Sequence, residues 1–182
     1  MNVKIRDIVL GEGSPLVLFA GPCVVENRAM VFATAEALQR AAGRYRVPLV
    51  FKSSFIKANR TSARSFTGIG REEALRILAD LRKELQVPVM TDIHGLEDVA
   101  SAAEAVDVLQ IPAFLCRQTD LLQAAGRSGK AVNIKKGQFM APEDMAHAAS
   151  KVAETGNQRI LLTERGTTLV LPKVLPRFCC VS

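Results

Sequence analysis

Tryptophan is absent from this 182-residue sequence, tyrosine occurs once and histidine twice. The formal net charge of +6 invites a nucleic-acid reading, because basic excess is the electrostatic footprint of phosphate binding. Without aromatic stacking platforms or a Lys/Arg-rich run, that reading loses its two usual supports. No stretch approaches the roughly 18 uninterrupted apolar residues of a membrane helix, and Met1 to Asp7 has no apolar core of signal-peptide length. We therefore expect a cytoplasmic protein with neither nucleic acid nor membrane as partner. No Gly-x-Gly-x-x-Gly follows the first strand-like run. Gly68-Ile69-Gly70 lies far from it and lacks the third glycine, which disfavours a dinucleotide-binding fold. Cys23, Cys116, Cys179 and Cys180 show no paired metal-ligand spacing, and in a cytosolic chain they read as thiols rather than disulfides. From spacing alone, each is expected to be a buried small hydrophobe.

What is present is an ordinary globular composition, 48% hydrophobic and 23% charged, enough for one good core and short for two. Residues 1–182 are expected to form a single domain. Apolar runs at about 16–22, 49–55, 87–92, 107–113, 131–136 and 159–164 alternate with stretches of helical period. Several of these runs are continuous rather than alternating, as in strands buried on both faces. One helical stripe is Ala74, Ile77, Leu78, Leu81 and Leu85. Another, Met145, Ala148, Ala149 and Val152, opens with Pro142 and the acidic pair Glu143 and Asp144. Turn signals at Gly43, Val87-Pro88, Gly129 and Gly156 close the helices.

Six βα units in series imply an α/β fold with a parallel sheet, either doubly wound or part of a (β/α)8 barrel. Val3 to Leu10 followed by Gly11-Glu12-Gly13 suggests a β-hairpin with a glycine turn ahead of it. A complete barrel takes eight units and about 250 residues. The segment 169–182, with two prolines and neither period, does not continue the design and stands as an atypical tail on an incomplete barrel.

Chemistry recurs where these strands end. Lys57-Ala58-Asn59-Arg60-Thr61-Ser62, just beyond the run Leu49 to Phe55, gathers fixed positive charge, an amide and hydroxyls beside a rigid support, as a phosphate requires. Alone it would equally suit a solvated basic loop. It is not alone: Cys23, Asp92 with His94, Arg117, Lys135 with Lys136, and Arg165 all follow apolar runs. In a parallel sheet the strand C-termini converge on one crevice, so this repetition argues for a shared anion site and favours the barrel.

Six blocks carry a resemblance. They are Ala20-Gly21-Pro22-Cys23, Phe51 to Ser62, Thr91-Asp92-Ile93-His94, Gln110 to Asp120, Asn133 to Phe139, and Thr163-Glu164-Arg165-Gly166. In this order, over residues 1 to about 168, the chain resembles the 3-deoxy-D-manno-octulosonate 8-phosphate (KDO8P) synthases. These are TIM-barrel transferases of the DAHP/KDO8P synthase type that serve lipopolysaccharide biosynthesis. The related 3-deoxyheptulosonate 7-phosphate synthases carry Lys-Pro-Arg-Thr where this chain has Lys57-Ala58-Asn59-Arg60, which makes an aldolase of that kind the more distant alternative.

The resemblance implies condensation of phosphoenolpyruvate with D-arabinose 5-phosphate. Carried over by position, Lys52, Ser54, Gln110, Lys135 and Arg165 would hold phosphoenolpyruvate. Lys57, Asn59, Arg60 and Thr61 would hold the sugar phosphate, and Lys57, Asn59 and Asp92 would stand at the chemistry. Arg117 would reach in from a neighbouring subunit of a homo-oligomer, a tetramer in the family. Cys at position 23 resembles the metal-dependent class, in which a thiolate joins a His, a Glu and an Asp around Zn²⁺, Fe²⁺ or Mn²⁺. The other three ligands fall in barrel strands this chain lacks. On the family pattern neither His94 nor His147, the latter on an expected solvated helix face, replaces them. The alternative of another class is a catalytically inactive fragment of this family.

Overall fold

The computed structural model describes residues 2–58 and 66–167. Asn59, Arg60, Thr61 and Ser62, the segment 169–182, Cys179 and Cys180 lie outside the described residues, so the expectations placed on them are not addressed by the fold.

Strands β1 (Val3–Ile5) and β2 (Ile8–Leu10) form an antiparallel hairpin. Six parallel strands follow: β3 (Leu18–Ala20), β4 (Leu49–Lys52), β5 (Val89–Asp92), β6 (Val108–Ile111), β7 (Ala131–Lys135) and β8 (Ile160–Thr163). Helices α1 (Arg28–Arg44), α2 (Arg71–Glu84), α3 (Leu96–Ala105), α4 (Thr119–Arg127) and α5 (Met145–Ala153) alternate with them. The sheet order is β3-β4-β5-β6-β7-β8, each strand beside its neighbour in sequence. A doubly wound sheet reverses its order at a switch point and this one does not, so the sheet is the arc of a (β/α) barrel. The chain shows five complete βα units and a sixth strand among the described residues.

Strand alternation sorts the side chains. Phe51, Val89, Leu109, Ile111, Val132 and Ile134 face the helices and join the main core with Ala74, Leu75, Ile77, Leu78 and Leu81 of α2 and Met145, Ala148 and Val152 of α5. The opposite parity, Val50, Met90, Val108 and Ala131, packs with Val3 and Ile5 of the hairpin, so β1 and β2 cap the N-terminal end of the arc.

Helix ends are built from local chemistry. The Asn27 side chain accepts from the Met30 amide at 2.8 Å and opens α1. The Asp98 carboxylate accepts from the amides of His94 (2.8 Å) and Gly95 (3.0 Å) ahead of α3, while Arg71 pairs with it at 2.8 Å.

Three expectations change. The hairpin turns at Arg6-Asp7, with Arg6 at φ 50, because the register Ile5↔Ile8 leaves room for two residues only; Gly11 to Gly13 instead links β2 to β3. Gly43 lies within the last turn of α1, and the left-handed position after that helix is taken by Arg46 at φ 54. The strands are also shorter than the apolar runs, because residues beyond Ala20, Lys52 and Ile111 leave the ladder to build loops.

Candidate active site

Inward parity that is apolar at the hairpin end turns polar at the strand C-termini. Lys52, Asp92, Gln110, Asn133, Lys135 and Thr163 occupy the inward positions of β4 to β8. Asp92 is 6% exposed, Gln110 2% and Asn133 5%, a depth at which polar groups must find partners.

They find one another. Asp92 Oδ2 accepts from Lys52 Nζ at 2.9 Å and from Ser54 Oγ, and Lys52 Nζ also donates to Ser54 Oγ at 2.7 Å. Asp92 Oδ1 accepts from Gln110 Nε2. Gln110 Oε1 then accepts from Asn133 Nδ2 at 2.9 Å, and Asn133 Oδ1 from Thr163 Oγ1 at 2.8 Å. An ionised carboxylate only accepts, so the charge on Asp92 fixes the direction of every amide along the relay. One hydrogen-bonded chain thus spans five adjacent strands.

Burial by itself would raise the Asp92 carboxyl. Lys52, Ser54 and Lys135, the last with its Nζ 3.8 Å from Oδ1, outweigh burial and hold the group well below the usual carboxylate range. Lys135 is drawn below the ordinary lysine value by burial, with Lys52, Arg165 and Lys57 adding to the effect against the pull of Asp92. Burial likewise lowers His94, whose ring meets Phe55 edge-on at 5.7 Å.

Above the relay opens a cavity of about 650 Å³. Lys52, Ser54, Lys57, Asp92, Lys135 and Arg165 all line it, beside His94, Gln138 and the apolar Ile56, Pro112 and Phe114. Four cations against one carboxylate suit a small multiply charged anion. Gln110 lies beneath, in the relay. Gly21 is required by close approach: a Cβ there would fall 2.0 Å from the Lys52 carbonyl oxygen.

Arg117 stands apart, exposed, in a surface hollow with Asp144, His147 and Lys151. His147 is exposed on α5. Cys116 is buried as expected, whereas Cys23 is exposed in the loop after β3, which corrects the reading of it as a buried hydrophobe. Burial there falls instead to Val24, whose backbone bridges Ser54. Among the described residues no three His, Cys, Asp or Glu side chains come together to hold a metal ion. Asn133, Thr163 and Gln138 were not singled out from sequence as site residues. A polar residue two before Lys135 in an otherwise apolar strand is the signal that finds Asn133.

The model of the DAHP synthetase I family matches residues 1–170. The chain belongs to that family. Among curated relatives, the 2-dehydro-3-deoxyphosphooctonate aldolase of Syntrophotalea carbinolica is 57% identical over 167 residues, which are 92% of this chain and 60% of that protein. Those of Koribacter versatilis (54% over 165 residues, 91% and 59%) and Geobacter sulfurreducens (52% over 167 residues, 92% and 61%) are similar. The chain therefore spans about 60% of the length of the family members it matches. No helix among the described residues is long and apolar enough to cross a membrane.

Proposed function

We propose that this chain carries the phosphoenolpyruvate half of a KDO8P synthase site, the enzyme its relatives are named for. The observation that carries the reading is the cavity in which Lys52, Lys57, Lys135 and Arg165 surround a single, relay-held carboxylate. In the proposed reaction C3 of phosphoenolpyruvate bonds to the aldehyde carbon of arabinose 5-phosphate and the aldehyde oxygen takes a proton. Water supplies the hydroxyl at C2, and inorganic phosphate leaves.

Lys52, Lys135 and Arg165 clamp the carboxylate and phosphate while charge develops at C2. The Ser54 hydroxyl, whose one proton goes to Asp92, steadies Lys52 beside the ligand, and Gln110 orients Asp92 from below. Asp92, held so far below the ordinary range, is a weak base. It acts by fixing Lys52 and Ser54 rather than by taking a proton. Lys57, at the cavity lining, receives the sugar phosphate together with the Asn59, Arg60 and Thr61 that the resemblance assigns to it, and Arg117 serves the site of a neighbouring subunit. Of a metal centre the chain contributes Cys23, and no step is derived through an ion whose other ligands the described residues do not supply.

Calorimetric titration with phosphoenolpyruvate tests the reading. Lys135→Ala removes a charge-assisted contact of about 1.5 to 3 kcal/mol, so affinity should fall roughly tenfold to a hundredfold. In a full-length relative carrying residues 1–168 of this chain, the same change should impair phosphoenolpyruvate use far more than arabinose phosphate use. Unchanged phosphoenolpyruvate affinity would overturn the assignment.

A further inference from the structure

Lys135 ends β7, Lys136 follows it directly, and the two face opposite ways. Lys135 faces the cavity. Lys136 is buried, 2% exposed, and does not line it. Its Nζ donates to the carbonyl oxygens of Gly166 (2.9 Å), Met140 (3.1 Å) and Gly137 (3.3 Å), and the Glu164 carboxylate lies 3.4 Å away. An ammonium has three N–H groups, and here each has a carbonyl.

Those carbonyls belong to two segments that meet at the cavity mouth. Gly137 and Met140 flank Gln138 in the loop after β7, and Gly166 follows Arg165 in the loop after β8. Glu164 tightens the second loop by accepting from the amides of Arg165 (2.9 Å) and Gly166 (2.6 Å). A buried ammonium is a costly way to fill space, and an apolar side chain would fill it more cheaply. A cation with several N–H donors can join carbonyls of two loops at one point, which no apolar side chain can do.

We propose that Lys136 is a positioning residue: its buried ammonium clasps the loop after β7 to the loop after β8 and so fixes Arg165 and Gln138 at the cavity mouth without touching the ligand. The consequence for phosphoenolpyruvate rests on the functional reading above; the clasp itself does not.

The wild-type chain gives the first test. With lysine-selective ¹⁵N labelling, one slowly exchanging Nζ–H signal should persist at neutral pH and vanish in Lys136→Met; its absence from the wild type would overturn the clasp, even where the variant fails to fold. Hydrogen exchange gives the second. In Lys136→Met the amides of Arg165 and Gly166 should exchange at least tenfold faster, with those of Gln110 and Val132 within twofold of wild type. Lys136→Arg, which keeps the charge and the donors, should recover most of the protection. Equal loosening of loops and strands, or none in the loops, would refute positioning. Phosphoenolpyruvate affinity should fall about tenfold in Lys136→Met and return in Lys136→Arg. A wild type that binds no phosphoenolpyruvate would instead sink the functional reading and leave the exchange result to decide the clasp.

Discussion

The two ends of the parallel strands use the same inward-facing positions for opposite purposes. At the N-terminal end Val50, Met90, Val108 and Ala131 meet the hairpin residues Val3 and Ile5, and the interior is apolar and closed. One inward step further along the strands stand Lys52, Asp92, Gln110 and Asn133, and the interior is polar and open to a cavity. The first end contributes stability through burial, since each fully buried aliphatic side chain is worth about 1.5 to 3 kcal/mol. The second spends burial on charged and amide groups that return little net stability and gain fixed orientation. Barrels of this kind separate stability from recognition along the strand axis, which leaves the recognition end free to change.

The contrast breaks most visibly at the closed end. Val50→Asp would place an unpaired carboxylate among apolar side chains, with no cation in that cluster to receive it. We expect loss of the cooperative thermal transition, because a cost of more than about 4 kcal/mol takes most of the stability of a typical domain. A variant that melts within a few degrees of wild type would mean the hairpin end is not a closed core.

At the open end the expected effect is smaller and depends on pH. The folded-state pKa of Asp92 is depressed, so its contribution is full above the ordinary carboxylate range, starts to fall as pH drops through that range, and is gone only once pH passes below the lower folded-state value. Asp92→Asn should be less stable than wild type at pH 7, and the gap should close on acidification with a slope approaching about 1.4 kcal/mol per pH unit. His94 has a different window. Lowered by burial against the pull of Asp92, it adds stability above about pH 6.5 that fades as pH falls below this value, and it does so more strongly in Asp92→Asn, where that pull is gone. Denaturant titrations at pH 7, 5 and 3 separate the two. A gap between the proteins that stays constant across this range would remove Asp92 as the charged centre of the relay.

Much of this contrast is legible in the sequence, and its limits have physical causes. Six apolar runs and two helical stripes give the βα alternation, because burial imposes period on strands and helices alike. Gly11 and Gly13 are the only strong local turn signal near the hairpin, yet pairing of Ile5 with Ile8 places the turn at Arg6-Asp7. Residues after strands signalled the site through Lys52, Ser54, Lys57, Asp92, Lys135 and Arg165, all of which line one cavity. Composition alone did not separate Lys135 from Lys136; parity does, once the strand is anchored by Val132 and Ile134 in the main core. Asn133 and Thr163 escaped because a relay is a property of adjacent strands in register, and register is not a local feature of sequence.

The smallest effect tests whether the relay is one object. Thr163 Oγ1 donates to Asn133 Oδ1 from the far strand, so Thr163→Val removes one hydrogen bond with little change of shape and should cost about 1 kcal/mol. Asp92→Asn acts at the other end, where an amide accepts and donates alike and no longer dictates how Gln110 and Asn133 point. Once that direction is lost, Thr163 has a less committed acceptor and its removal should cost less. The double variant should therefore be more stable than the sum of the single losses predicts, by about 0.5 kcal/mol or more, although two strands lie between the substituted residues. Denaturant unfolding of the four proteins at pH 7 measures the difference. Strict additivity would mean that the hydrogen bonds across β5 to β8 are three separate contacts, and that the polarity of the amides is set strand by strand rather than by the buried charge.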